Sequence, residues 1–265
     1  MTARYVDHVM GLPISLALRG RHTDDERAKQ AWAEALEILR TADRVFSTYR
    51  ADSYISRLDR GELGIADCPP EVAEVLALGA QARVESDGAF DVRRSGRLDP
   101  SGVVKGWAVE RAAHAVAHLP STDYCLSAGG DMTCHVADPA APAWRIGIED
   151  PHDPDKLAAV VPIRRGAIAT SGLSHRGNHI TDARTGRTPD ALASVTVVHP
   201  SLTQADIDAT AAFALGPDAL AWLRNRPQRT GLVIFTDGTR EIYGDSTRAM
   251  TSATIPGGMG RWATK

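Results

Sequence analysis

The chain has 265 residues, of which 43% are hydrophobic and 24% are charged, and its formal net charge is −3 at pH 7. A chain of this length and composition can bury a full core as one large domain or as two small ones. Because the charges nearly balance and form no basic stripe, nucleic acids and anionic membrane surfaces are excluded as expected partners, and small molecules or proteins are favoured.

The cysteines and the first twenty residues indicate the cellular compartment in which the protein is expected. Cys68, Cys125 and Cys134 form an odd set without CxxC spacing, which argues against a disulfide framework and a zinc site. Charged residues interrupt the segment 1–20, so the sequence predicts no secretory signal, and no apolar stretch approaches the ~20 residues needed to span a bilayer. We therefore expect a soluble cytoplasmic protein without a membrane anchor.

The first half of the chain predicts one strand followed by helices. Thr23-Asp24-Asp25-Glu26 is typical of a helix start, because short polar side chains cap free backbone N–H groups there. Pro69-Pro70 favours another start, since a first helical turn does not need the missing proline N–H. The predicted elements are a strand at 9–18, helices at 23–45, 54–58 and 69–84, and a helix that follows the segment 98–108 and ends near 118.

The second half predicts short strands and two helices, separated by turn residues such as Asp237-Gly238. Because helices and strands alternate without a fixed period, the sequence predicts an α+β fold with mixed β-sheets flanked by helices. We expect a single large domain at 1–245 and a small-residue-rich tail at 246–265. The predicted elements are strands at 124–127, 132–136, 144–148, 158–163, 167–170 and 193–198, helices at 203–215 and 218–223, and a hairpin at 232–243.

Four short segments carry residue types that suit chemistry. Gly129-Gly130 lies between two predicted strands and permits either close approach of a ligand to the backbone or a simple hairpin turn. The segment 170–172 offers hydroxyls and N–H groups to a phosphate, as many turns do. His179 is either a proton acceptor or a structural histidine. Lys105 either neutralises a phosphate or is a solvated surface lysine.

The segment 203–210 follows a predicted strand and opens a predicted helix. Asp206 and Thr210 are four residues apart, so on a helix they share one face and offer a carboxylate and a hydroxyl to one point. Such hard oxygen ligands suit Mg²⁺ better than zinc. Alternatively, Thr203 is an N-cap and Asp206 completes a capping box; the two roles of Asp206 are compatible. Asp208 points to another face and is not a candidate ligand.

A phosphate cradle, a lysine, a histidine and a pair of hard oxygen ligands are the parts that phosphoryl-type transfer needs. The whole set of motifs, from Met10 to near Gly216, is Met10-Gly11, Phe46 to Tyr49 with Asp52-Ser53, Asp87 to Asp91, Asp99 to Ala108, Ala128 to Asp131, Ala169 to Gly172, His179 to Gly186, Ala193 to Val197, and Ala205 to Thr210. With these motifs in this order, the sequence resembles the ApbE family, the FAD:protein FMN transferases.

The resemblance implies an ApbE-like domain and a reaction. FAD would be held with its pyrophosphate on Mg²⁺, and a threonine hydroxyl of a target flavoprotein would take the FMN while AMP leaves. The metal ligands would be the side chains of Asp206 and Thr210 and the main-chain oxygen of Val104, and His179 would be the catalytic base. The flavin and nucleotide site would be lined by Met10, Tyr49, Ala89, Phe90, Asp91, Lys105, Gly129, Gly130, Ser171 and His179.

Two other functions use the same site. A hydrolase would split FAD into FMN and AMP by activating water in place of the threonine, and a non-catalytic FAD-binding protein would use only the cofactor contacts. The chain also departs from many relatives: they have alanine or glycine at the position of Val104, and the segments 91–98 and 172–179 are shorter here.

Overall fold

The computed structural model describes residues 2–94, 96–173 and 180–244. The predicted catalytic residue His179 and the predicted tail at 246–265 lie outside the described residues. None of the helices within these ranges combines the length and the apolar character that a membrane span requires.

The described residues form twelve strands, and eight of them make one sheet. The strands are β1 (Thr2–Val9), β2 (Leu12–Gly20), β3 (Arg93–Arg94), β4 (Arg97–Leu98), β5 (Thr122–Ala128), β6 (Asp131–His135), β7 (Trp144–Asp150), β8 (Asp153–Ile163), β9 (Arg165–Gly172), β10 (Leu192–His199), β11 (Thr230–Phe235) and β12 (Arg240–Tyr243). The large sheet has the order β1-β2-β5-β6-β9-β10-β11-β12, and β3-β4 and β7-β8 form separate two-stranded sheets.

Every pairing between these strands is antiparallel, whereas the sequence predicted mixed sheets. Two-residue turns join β1 to β2 and β5 to β6, and such turns can join only antiparallel neighbours. The predicted α+β class and single domain are otherwise confirmed.

Six α-helices accompany the sheets in the described ranges. They are α1 (Glu26–Phe46), α2 (Tyr54–Asp59), α3 (Pro70–Glu85), α4 (Ser101–Ala117), α5 (Leu202–Leu215) and α6 (Ala219–Arg224). Helix α1 begins at the predicted polar segment, where the Asp25 side chain accepts a hydrogen bond from the Ala28 N–H. Helix α4 begins already at Ser101, so most of the segment 98–108 is helical.

The prediction of a single strand at 9–18 is wrong, because the chain reverses inside it. Met10 and Gly11 form a two-residue turn with φ of 56° and 68°, which joins β1 to β2 as a hairpin. Positive φ at both central residues is the geometry that matches the twist of the flanking strands. Strand β1 escaped prediction because it is an edge strand with many exposed polar residues, which weakens the apolar alternation.

The large sheet separates two cores. Successive residues of a strand point to opposite faces, and in β9 the residues Ala167 and Ala169 belong to the core beneath the helices, whereas Ile168 belongs to the core beneath the β7-β8 hairpin. Helices α4 and α5 pack against the first face and against each other. This layer of two helices on the sheet positions the residues described next.

Candidate active site

Helix α4 approaches α5 at Gly106. A Cβ atom at this position would lie 2.8 Å from Asp206 Cβ and 2.8 Å from the Leu202 carbonyl oxygen. Such distances are essentially never found for real side chains, so only glycine permits this contact. The Gly106 N–H donates a hydrogen bond of 2.9 Å to Asp206 Oδ2, which fixes the carboxylate of Asp206 between the two helices.

One turn earlier in α4, Gly102 is close to both Phe90 and Thr210. A Cβ atom at Gly102 would lie 3.0 Å from the Phe90 ring and 3.6 Å from Thr210 Cγ2. The Thr210 hydroxyl in turn lies 3.1 Å from the hydroxyl of Ser171, on the neighbouring strand β9. Three residues that the resemblance implied for the site are therefore neighbours in the fold.

A lysine and two carboxylates form the charged centre of the site. Lys105 Nζ lies 3.0 Å from Asp206 Oδ1 and also pairs with Asp131 Oδ2. Both carboxylate side chains are only 2% exposed, and that of Lys105 is 21% exposed. The other oxygen of Asp131 accepts a hydrogen bond of 3.0 Å from the Thr170 N–H. One ammonium faces two buried carboxylates, so the cluster, which we call the Lys105 cluster (Lys105, Asp131, Asp206), has a formal charge of −1 when all three groups are ionised.

The pKa values follow from burial and from these neighbours. Burial raises the pKa of Asp206 to about 7; the Lys105 ammonium acts in the opposite direction, and the Asp131 carboxylate adds to the rise. Burial alone would lower the pKa of Lys105, but the carboxylates of Asp131 and Asp206 outweigh it and hold that pKa above its ordinary value. Lys105 is therefore cationic, whereas the Asp206 carboxylate lacks full compensation, which an additional cation would supply.

The predicted metal ligands suit a hard cation. Among the described residues there is no group of three or more His, Cys, Asp or Glu side chains that could hold a metal, so a metal here would need other oxygen donors. Asp206 and Thr210 lie one turn apart on α5, and Val104 is in α4 beside Lys105. A carboxylate, a hydroxyl and a main-chain oxygen, with waters completing the shell, are donors that Mg²⁺ accepts. The negative charge of the cluster fits the same ion.

Two hairpin turns lie side by side at one end of the sheet. Gly129 and Gly130 form the β5-β6 turn with φ of 56° and 98°, and the Gly129 N–H donates to the Pro13 carbonyl oxygen at 3.1 Å. Pro13 follows the β1-β2 turn that contains Met10. The predicted residues Met10, Gly129 and Gly130 are thus close together. Asp131, directly after the glycines, connects this end of the sheet to Lys105.

The loop after α3 contains three predicted cofactor residues, which differ in their surroundings. Ala89 is fully buried, and its carbonyl oxygen accepts a hydrogen bond of 2.9 Å from the Ala183 N–H. Asp91 uses its carboxylate locally, because one oxygen pairs with Arg83 Nε at 2.9 Å and the other accepts from the Arg93 N–H at 2.8 Å. Of the three, Phe90 has the contact closest to the Asp206–Thr210 face.

Tyr49 is on the segment that follows α1. Its side chain is 98% exposed, so it is available to a ligand and contributes no packing. The segment is anchored by a 2.7 Å hydrogen bond from the Ser53 hydroxyl to the Ser47 carbonyl oxygen. Phe46, the last residue of α1, packs edge-on against Trp107 of α4, with ring centroids 5.4 Å apart. Tyr49 therefore follows the end of α1 that packs against α4.

The start of α5 differs from the predicted capping box. Ser201 is the N-cap, and its side chain accepts from the Gln204 N–H at 3.2 Å. The N–H and the hydroxyl of Thr203 both donate to the Glu110 carboxylate, and Asp206 faces α4 instead of the helix start. The prediction that Thr203 and Asp206 form a capping box is therefore wrong. Both side chains bind groups of the neighbouring helix α4 instead of backbone groups at the start of α5.

Three site residues escaped the sequence reasoning. Asp131 directly follows the glycine pair, and a carboxylate at that place was the available signal. Gly106 lies inside a helix, where glycine costs roughly 1 kcal/mol relative to alanine and so indicates a close contact. Glu110 gave no signal, because its partners at the start of α5 are distant in sequence. Asp208, excluded as a ligand, pairs instead with Arg226 and other residues on a different face.

Comparison with known proteins gives the same family throughout. A family model described as the ApbE family matches residues 10–95 and 92–234. The FAD:protein FMN transferase of Escherichia coli (strain K12) is 31% identical over 148 residues, which cover 52% of this chain and 41% of that protein. The FAD:protein FMN transferase of Rhodobacter capsulatus is 31% identical over 196 residues, 66% of this chain and 37% of that protein. The matches thus span less than half the length of these curated relatives.

Solved structures share the fold. The ApbE protein of Thermotoga maritima superposes with a TM-score of 0.81 at 19% identity, over 92% of this chain and 97% of that chain. The flavin transferase ApbE of Vibrio cholerae gives a TM-score of 0.77 at 22% identity, over 93% and 98%. At such identities the likeness shows the fold alone, while the family model covers most of the sequence. The chain belongs to the ApbE family.

Proposed function

We propose that this protein is an FAD:protein FMN transferase, which uses Mg²⁺ to transfer FMN from FAD to a threonine hydroxyl of a target flavoprotein. In this reaction the threonine oxygen bonds to the FMN phosphorus, the bond from that phosphorus to the bridging oxygen breaks, and AMP leaves. The main support is the Asp206–Thr210 face of α5, which meets the Lys105 cluster. The relatives described above are FAD:protein FMN transferases, which supports the same class of reaction for this protein.

The metal would be held by the side chains of Asp206 and Thr210 and by the main-chain oxygen of Val104. When bound there, Mg²⁺ supplies positive charge to the diphosphate as the bond to AMP breaks. Gly106 and Ser171 orient the two side chains, since the first donates to Asp206 Oδ2 and the second contacts the Thr210 hydroxyl. A site preorganised in this way needs no rearrangement during the reaction.

Other residues of the chain would bind FAD and handle the proton. The Lys105 ammonium, cationic and partly exposed, would face the phosphates, and the turns at Met10 and Gly129-Gly130 would let the backbone approach the substrate. His179 would accept the proton of the attacking threonine hydroxyl. We also propose a cytoplasmic target, because an odd set of free cysteines suits a reducing compartment.

The test is co-expression with a flavoprotein encoded next to this protein, with and without the protein, followed by mass spectrometry of that flavoprotein. The proposal predicts a mass increase of one FMN, located on a threonine, and its loss with Asp206→Ala. The absence of an adduct on every neighbouring flavoprotein would count against the proposal. Release of AMP from FAD without an adduct would identify the alternative, an FAD hydrolase.

A further inference from the structure

The Lys105 cluster contains one group that neither the reaction nor the proposed metal ligands use, the carboxylate of Asp131. The Asp131 side chain is 2% exposed, and one of its oxygens accepts the Thr170 N–H at 3.0 Å, so β9 holds it in place. The other oxygen pairs with Lys105 Nζ. Two buried carboxylates side by side are unfavourable, because like charges disfavour each other's ionised form. The presence of Asp131 beside Asp206 therefore suggests a function for its carboxylate.

Both oxygens of the Asp206 carboxylate already have a partner. Its Oδ2 accepts the Gly106 N–H at 2.9 Å, and its Oδ1 lies 3.0 Å from Lys105 Nζ. A divalent cation bound to Oδ1 would therefore share that oxygen with the lysine ammonium. Like charges at such short range repel strongly in a buried site, so the ammonium needs its second carboxylate partner, Asp131, to stay paired once it leaves Asp206.

We propose that Asp131 is a positioning residue that holds the Lys105 ammonium away from Asp206 when the metal binds. This inference rests on the proposed function. The long lysine side chain, 21% exposed, can turn on its stem, while Asp131 is fixed. With the metal bound, Lys105 keeps one carboxylate partner and avoids becoming an unpaired buried charge, and its remaining donors face the diphosphate.

The formal charges of the ionised groups support this role. Lys105 with Asp131 and Asp206 carries −1, and a divalent metal brings the total to +1, which attracts the diphosphate of FAD. If Asp131 were neutral, Lys105 and Asp206 would already form a neutral buried pair. That pair would have to be broken before the metal could bind, so the affinity for metal should fall although no ligand had been removed.

The test measures binding of Mn²⁺, as a probe for the divalent ion, to the full-length protein by electron paramagnetic resonance. Asp131→Asn keeps the shape and the acceptor for the Thr170 N–H, and its amide group faces the Lys105 ammonium. We expect it to weaken Mn²⁺ binding roughly ten- to hundredfold, the size of effect that one neighbouring charge exerts. Thermal melting checks that the variant remains folded.

The decisive variant combines Asp131→Asn with Lys105→Gln. With the competing ammonium removed, Mn²⁺ affinity should return to the wild-type value or exceed it. FAD binding by the double variant should be weaker than in the wild type, because the phosphate-facing cation is lost. If Asp131 were itself a ligand, or served only the packing of β9, the double variant would stay below the wild-type affinity, because removal of the ammonium does not replace what Asp131 supplied. That result, or an unchanged affinity in Asp131→Asn, overturns the inference.

The inference and the proposed function can fail separately. Asp206→Asn removes the charge of the proposed ligand itself, so it should abolish the specific Mn²⁺ signal. If it does so while Asp131→Asn has no effect, the proposed metal site stands and the role of Asp131 does not. If the wild-type protein and Asp206→Asn bind Mn²⁺ equally in the presence of FAD, the metal assignment and the inference both fall.

Discussion

Replacing Gly106 with alanine tests the helix contact that fixes the site. The new Cβ atom would lie 2.8 Å from a backbone oxygen, Leu202 O, and 3.1 Å from Asp206 Oδ2. Overpacking of this kind costs about 1–3 kcal/mol, and losing the hydrogen bond from the Gly106 N–H to a charged acceptor costs about 1.5–3 kcal/mol. Better helix propensity returns about 1 kcal/mol. We expect a net loss of about 3 kcal/mol, or roughly 6–12 °C in melting temperature.

Circular dichroism melting and Mn²⁺ titration are the assays, and Gly79→Ala is the matched control. A Cβ atom at Gly79 in α3 would lie 2.5 Å from Val92 Cγ1, so this change also overpacks a helix but does not touch Asp206. Both variants should melt at lower temperature, and only Gly106→Ala should lose Mn²⁺ affinity per folded molecule. If Gly106→Ala were as stable as the wild type and bound Mn²⁺ equally well, the close contact between α4 and α5 would be refuted.

Three further predictions concern other parts of the chain. Tyr49→Ala should leave the melting temperature unchanged, because the side chain is 98% exposed. It should weaken FAD binding by roughly 0.5–1.5 kcal/mol in flavin fluorescence titrations. An unchanged FAD affinity would show that Tyr49 is not part of the site. Glu110→Gln should destabilise the protein by about 1–3 kcal/mol in urea unfolding, because its carboxylate accepts N–H and hydroxyl donors at the start of α5; an unchanged unfolding midpoint would contradict this role. Cys68 should react with Ellman's reagent in the native protein, whereas Cys125 and Cys134, which are 9% and 2% exposed, should react only after unfolding; three equally fast thiols would contradict their burial.

Sequence patterns predicted most helices and strands because their apolar spacing is local. They predicted the shared face of Asp206 and Thr210 for the same reason, since both residues are on one helix. The turn at Met10-Gly11 was missed because its left-handed geometry lies inside an apparently continuous strand. The edge strand β1 has little buried surface, so its pattern was too weak to distinguish from a loop.

The charged centre was not predictable from local pattern. Lys105, Asp131 and Asp206 are on α4, β6 and α5, and only the packing of two helices on the sheet brings them together. For the same reason a lysine that the sequence allowed to be a solvated surface residue is paired with two carboxylates. Local reasoning also assigned Thr203 to a capping box, whereas Glu110 of the neighbouring helix supplies its partner.

Transfer of FMN to protein should depend on a metal at the Asp206–Thr210 face. To test this dependence, the purified protein is incubated with FAD, Mg²⁺ and an acceptor flavoprotein, and the AMP released is compared with the FMN bound to the acceptor. We expect one AMP for each protein-bound FMN, with both products lost in Asp206→Asn or on removal of Mg²⁺. Adduct formation that survives Asp206→Asn unchanged, or the absence of both products with the wild-type protein, would contradict this expectation.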